Sequence, residues 1–237
     1  MIVFLIYCWL PVVIYGLISL VYYTVYDRRR RSIVCSEESR KFCDVAVFRP
    51  PAMPAGLREA VVAYARETSN GKRVVVPTKK AGRTVSILEI LVDLPDLVDH
   101  YEAVAGYIAE EFDEPVRTLV GVSPLSLMVL VYENEGDEVS WHYDVNVFQG
   151  RQFTVVEPLS GFDSCTQFQY VDAEHKVVTQ RLAPGEAVML QADVLFHRAT
   201  QQCAGMPPRI AVVMEFATDR NKVWWKRALD WFKTAFF

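Results

Sequence analysis

Val177-Val178-Thr179-Gln180-Arg181-Leu182, Ala187-Val188-Met189-Leu190-Gln191 and Arg209-Ile210-Ala211-Val212-Val213-Met214-Glu215-Phe216-Ala217-Thr218 decide the fold. These runs are too short for most helices, they are rich in residues that suit a pleated surface, and Pro184-Gly185 breaks the first from the second. The same texture extends upstream through Thr118 to Val122, Leu125 to Glu133, Gln152 to Leu159 and Thr166 to Val171, punctuated by Gly136, Gly150 and Gly161. No helical pattern alternates with these strands, so the rhythm is that of a β-sandwich or jelly roll and not of βαβ units. Helical patterns flank it: Ala55 to Thr68, ended by Asn70-Gly71, and Leu94 to Phe112, with Pro95 near its start. The fold class expected is mainly β with flanking helices, a double-stranded β-helix (jelly roll).

At the other end of the chain, Met1 to Tyr26 contains no Asp, Glu, Lys, Arg or His. At 1.5 Å per residue this segment reaches roughly 39 Å, more than the ~30 Å hydrocarbon core of a bilayer. It lacks the positive start and small-residue cleavage site of a signal peptide, and it reads as one N-terminal transmembrane helix. Tyr22, Tyr23 and Tyr26 fall at headgroup depth, followed by Arg28 to Arg31. That charge bias predicts a single-pass membrane protein whose following domain is cytosolic. The expected organisation is an anchor over 1–26, a basic flank and linker over 27–52, the jelly-roll domain with its N-terminal helices over 53–221, and a C-terminal amphipathic helix over 222–237. That last helix carries Trp224, Trp231 and Phe232 on one face, which suits either the core or a lipid surface.

A formal charge of -4, from 25 basic and 29 acidic residues, and the absence of a basic domain argue against a nucleic-acid partner. The five cysteines form no CxxC pair and read as neither a disulfide scaffold nor a zinc finger.

Chemistry then rests on four histidines. In His142-Tyr143-Asp144 the two ligand-type side chains are two residues apart, and on a strand such residues project from one face. His197 follows Asp144 by 53 residues, a gap that lets a later strand of the same roll bring a third ligand across. Two imidazoles and a carboxylate form the facial set of non-haem Fe(II) oxygenases, which leave the remaining positions open. Arg209, twelve residues beyond His197, opens an apolar strand and needs an anionic partner. His100 and His175 read as solvated surface residues, while Trp141 and Arg151 flank the inferred site.

With these residues in place, the stretch from Tyr132 to Phe216 resembles the Fe(II)/2-oxoglutarate-dependent dioxygenase superfamily, in its prolyl 4-hydroxylase-like branch. The resemblance implies that His142, Asp144 and His197 hold Fe(II) and that Arg209 binds the far carboxylate of the cosubstrate 2-oxoglutarate, with O2 as the other cosubstrate. Tyr132, ten residues before His142, matches a tyrosine that reaches the cosubstrate. Gln152-Phe153-Thr154-Val155-Val156 matches the strand after the first two ligands and implies a cofactor-binding role for Thr154. One departure is plain: Glu157-Pro158-Leu159-Ser160 stands where the family often has a tyrosine on the far carboxylate.

The function expected is a membrane-anchored dioxygenase that hydroxylates a C–H bond of a protein or lipid-like substrate, with the lipid bilayer as partner. Two alternatives stand beside it: a non-catalytic, membrane-tethered jelly-roll binding or scaffold protein, and a zinc or manganese cupin-like enzyme without 2-oxoglutarate. Arg209 as half of a structural ion pair and Tyr132 as a core residue are the corresponding alternatives for single residues.

Overall fold

Twelve strands hydrogen-bond into one antiparallel sheet that rolls on itself. The structure is a computed structural model and describes residues 13–27, 45–76, 80–226 and 229. In chain order the strands are β1 (Val45–Phe48), β2 (Lys72–Val76), β3 (Lys80–Val85), β4 (Arg117–Thr118), β5 (Leu127–Tyr132) and β6 (Glu138–His142). They continue as β7 (Gln152–Ser160), β8 (Phe168–Val171), β9 (Val177–Gln180), β10 (Ala187–Leu190), β11 (His197–Ala199) and β12 (Arg209–Ala217). Ten of them lie side by side in the order β1-β10-β7-β12-β5-β3-β6-β11-β8-β9, with β2 paired to β3 and β4 to β12. The helices are α1 (13–22), which runs on as a π-helical turn over Tyr23–Asp27, then α2 (Leu57–Arg66), α3 (Ile87–Asp93) and α4 (Pro95–Glu111).

The period of two along the strands sorts side chains to the two faces of the roll. On β12, Ile210, Val212, Met214 and Phe216 join the core that α2, α3 and α4 cover, while Val213 packs on the other face with Leu125 and Met128. Arg209 shares the parity of Val213 and so faces the interior of the roll. On β7, Phe153, Val155 and Leu159 face the helices; Thr154 and Pro158, of opposite parity, face inward.

Pro95 starts α4 at a position where its missing N–H costs nothing. Leu97, Tyr101, Val104 and Ile108 bury the helix at i, i+4, i+7 and i+11. Tyr101 is tied on both sides, donating to the Glu215 carbonyl and accepting from the Leu119 N–H at 2.9 Å.

The mainly β fold with flanking helices is thus present, and the helices expected near 55–68 and 94–112 lie at Leu57–Arg66 and Pro95–Glu111. Several local expectations differ. The linker predicted over 27–52 contains β1, which pairs with β10 from Val45↔Leu190 to Phe48↔Ala187. The β2–β3 hairpin and α3 fill a stretch without a clear periodic signal. Of the strand expected over Thr118 to Val122, only Arg117–Thr118 pairs. Cys165 and Cys203 form a disulfide, which the scattered cysteine spacing does not signal.

Among the described residues, no helix is long and apolar enough to cross a membrane. Residues 1–12 of the expected anchor lie outside the described residues, as do 28–44 and most of the expected C-terminal helix. Within that C-terminal segment, Trp224–Lys226 form a 3-10 turn, and Lys222 bridges to Phe148. The described part of the anchor is α1, and it is docked on the domain. Gly16, Ser19 and Tyr23 face the protein, whereas Leu17, Ile18, Val21 and Val25 are each more than half exposed.

Candidate metal and cosubstrate site

β6 ends on His142 and β11 begins on His197, and the antiparallel register sets these two residues directly opposite each other. Their ring centroids are 4.2 Å apart. Each Nδ1 lies 2.8 Å from a backbone carbonyl two residues upstream in its own chain, Ser140 for His142 and Leu195 for His197. A carbonyl only accepts, so both Nδ1 atoms carry the proton, and Nε2 is the atom of each ring that a metal would bind. Asp144, two residues past His142, brings Oδ1 to 3.3 Å from His142 Nε2. One ligand atom from each of the three side chains lies within 4.8 Å of the other two.

Burial and the Asp144 carboxylate set the protonation of the two imidazoles. Burial, reinforced by the neighbouring His142, pushes His197 down to about 4, so it is a neutral imidazole near pH 7. Burial opposes the charged form of His142 too, but the Asp144 carboxylate outweighs it and the net shift is upward. Two neutral-capable nitrogens and one carboxylate with an open side fit the 2-His-1-carboxylate donor set of Fe(II).

Arg209 stands across from Tyr132 in the β12–β5 register. It is 7% exposed, its guanidinium donates to the Thr166 carbonyl, and no carboxylate among the described residues pairs with it. Burial lowers its pKa. The adjacent Tyr132 is buried and shifted up to about 12, again by burial first, so it stays a phenol. A cavity of about 320 Å³ borders Arg209, with Pro158, Thr166, Gln167 and Leu182 in its wall. The wall also carries Asp163 and Arg181, and none of His142, Asp144, His197 or Tyr132 lines this cavity.

Thr154 takes a different place from the one expected. Its Oγ1 donates to Asp144 Oδ2 at 3.2 Å, so it orients the candidate metal ligand. Trp141 turns to the far side of β6, stacked on Phe196 with the Arg198 guanidinium 4.7 Å above it. Arg151 is engaged by Glu114 and by Gln191. His100 is buried against Glu157 at 2.9 Å and is no surface residue, whereas His175 is exposed in a turn. Glu157, one residue before Pro158, faces the helices and not the cavity.

Two contributors escaped the sequence. Lys80 is buried within electrostatic reach of Asp144, and burial pulls it down to about 8. In the sequence it follows another lysine in a hairpin, the pattern of a solvated edge. Tyr23 hydrogen-bonds behind Asp144 from 121 residues away, and no local signal marks such a contact.

No protein-family model matches the chain, and no curated protein matches it. Solved structures do. A Pseudomonas putida prolyl 4-hydroxylase superposes with a TM-score of 0.54 at 13% identity, covering 80% of this chain and 99% of that one. A Trichoplax adhaerens prolyl hydroxylase, solved with a peptide fragment of the hypoxia inducible factor oxygen degradation domain, gives 0.54 at 13%, covering 83% and 93%. The epimerase SnoN, in complex with Fe3+, alpha ketoglutarate and nogalamycin RO, gives 0.51 at 16%, covering 78% and 82%. The chain therefore has the fold of the Fe(II)/2-oxoglutarate-dependent oxygenases, prolyl hydroxylases among them.

Proposed function

We propose that the protein is a membrane-anchored Fe(II)/2-oxoglutarate-dependent dioxygenase that hydroxylates a C–H bond of a protein or lipid-like substrate. The observation that carries this reading is Arg209: a buried guanidinium with no carboxylate at ion-pair distance among the described residues, in the same roll as the His142, Asp144 and His197 set. A structural ion pair would have placed a carboxylate there, and a metal-only cupin has no use for a buried cation. Fe(II) and 2-oxoglutarate, when bound, would supply O2 activation. The chain's part is to present His142 and His197 Nε2 and the Asp144 carboxylate, to hold Asp144 through Thr154, and to receive the far carboxylate at Arg209 beside the Tyr132 hydroxyl.

A protein substrate draws support from the Trichoplax enzyme, whose structure holds a peptide. A lipid-like substrate and the bilayer as partner draw support from the aliphatic face that α1 turns outward. The Cys165–Cys203 bridge favours an oxidising compartment, since cytosolic thiols stay reduced; on that side of the membrane the charge bias of Arg28 to Arg31 is reversed. A non-catalytic binding protein is the second reading, favoured by Pro158 in place of the family tyrosine.

Anaerobic titration of Fe(II) and then 2-oxoglutarate into the full-length, detergent-solubilised protein tests the site. A metal-to-ligand charge-transfer band in the visible is expected. Substrate-independent succinate formation on admitting O2 separates the enzyme from the binding protein, and absence of the band returns Arg209 to a structural role.

A further inference from the structure

Asp144 is fixed through both of its backbone groups. Its N–H donates to the Ala192 carbonyl at 2.9 Å, and its carbonyl accepts the Tyr23 hydroxyl at 3.0 Å. The same hydroxyl oxygen accepts the N–H of Asn146 at 2.9 Å, so one phenol bridges the residues on either side of Val145. Tyr23 is 2% exposed, and it comes from the turn that ends the N-terminal helix.

A second support reaches the loop from the other end of the chain. Lys226 Nζ donates to the Asn146 carbonyl at 2.9 Å and sits 5.0 Å from the Tyr23 ring centre. The docking of α1 has its own, separate bonds: Tyr15 Oη and Ser19 Oγ both donate to the Trp225 carbonyl, at 2.8 and 3.1 Å. Helix attachment and loop support are therefore distinct sets of contacts on one helix.

We infer that Tyr23 is a positioning residue for the metal site: its hydroxyl sets the course of the 144–146 backbone and with it the carboxylate of Asp144, making the N-terminal helix a working part of the site. The inference rests on the metal-binding reading of His142, Asp144 and His197. A hydrogen bond to the backbone of a ligand residue acts as other outer supports of metal sites do, by fixing the ligand before the ion arrives, and losing one typically weakens metal affinity by about 10- to 100-fold.

The test uses the full-length protein in detergent micelles with Co(II) as the probe, read by its ligand-field absorption, so that no turnover is needed. Tyr23→Phe keeps the ring and its packing and removes only the oxygen. It is expected to raise the Co(II) dissociation constant about tenfold or more and to alter the ligand-field spectrum, because the backbone that carries the carboxylate loses one of its supports. Ser19→Ala removes a docking bond on the same helix without touching the loop and is expected to bind Co(II) within about twofold of wild type, a contrast that a purely structural role would not produce. Equal affinity in Tyr23→Phe and wild type overturns the inference, and so does an equal loss in Ser19→Ala and Tyr23→Phe, which would assign the effect to helix docking. If Tyr23→Phe does not fold, Lys226→Met, which removes the other support of the same loop, takes its place with the same expected and overturning results. Wild-type protein that binds no Co(II), or Asp144→Ala that binds it as wild type does, would sink the metal site itself and not this inference alone.

Discussion

Arg209 and Tyr132 face each other across the β12–β5 ladder, and the charge of the first meets a backbone carbonyl and, among the described residues, no acid. Such an arrangement is costly for an empty protein, because a buried cation is stable only when paired. Arg209→Ala is therefore expected to raise the 2-oxoglutarate concentration needed for half-saturation by about 10-fold or more, the loss of a charge-assisted contact of about 1.5–3 kcal/mol. Fe(II) affinity without cosubstrate should stay near wild type. Isothermal titration of each ligand separately checks both, and unchanged cosubstrate affinity would assign Arg209 to structure.

Removing any one of the three ligands leaves no facial set. His142→Ala, Asp144→Ala and His197→Ala should each abolish stoichiometric Fe(II) binding, and chelation of wild type should abolish the charge-transfer band until Fe(II) is restored. Thr154→Val, which removes the hydroxyl donor to Asp144 Oδ2, should give a graded result, a loss of metal affinity nearer to 10-fold. Retained metal binding in any of the three alanine variants would refute the assignment.

Asp137 gives a pH dependence that does not involve the site. Its side chain is fully buried and accepts from Arg73 and from the N–H groups of Glu133 and Asn134. Burial alone would raise its pKa, but these donors outweigh burial and hold it below the usual carboxylate range. The folded pKa lies below the unfolded one, so the stability it contributes is present above about pH 4 and is lost as pH falls from there through the folded value. Asp137→Asn is expected to cost about 2 kcal/mol at pH 7. Urea unfolding of wild type and variant should converge as pH falls below 4; parallel curves would contradict the assignment.

The disulfide bears on compartment and on stability together. Cys165 and Cys203 are 38 residues apart, and the bridge ties the loop that carries Thr166 to the loop that leads into Arg209. Peptide mapping of protein alkylated before lysis should recover the 165–203 linkage. Replacing both cysteines by serine should lower stability by about 2–4 kcal/mol. Recovery of two alkylated thiols would put the domain in the cytosol, where Arg28 to Arg31 favour it.

Period-two apolar runs made the large strands legible, because β7, β10 and β12 are long or wholly buried and carry their own turn signals. The ligand set was legible for the same reason: His142 and Asp144 are neighbours in sequence, and His197 lies on the next rung of a predictable roll. The elements that went unread owe their structure to partners. β1 and the β2–β3 hairpin gain their conformation from pairing with β10 and β5. His100 looks like the polar end of a helical pattern, and only Glu157, 57 residues on, explains its burial. Thr154 reads as a cosubstrate residue from its strand, whereas the Asp144 carboxylate ten residues upstream decides what it touches. The same holds for Tyr23, an interfacial aromatic by pattern and a loop support by contact.

The pairing of β1 with β10 also governs how the chain behaves when it is cut. β10 is flanked by β1 on one side and β7 on the other, so its backbone donors and acceptors are all spoken for. A shortened chain that begins at residue 53, where the first flanking helix starts to be readable, lacks β1 and leaves Ala187–Leu190 as an uncovered, uncharged margin of the sheet. Bare margins of that kind recruit strands from other molecules. Four residues that look like the tail of a tether thus act as a guard against self-association, and a shortened chain that retains Val45–Phe48 keeps it.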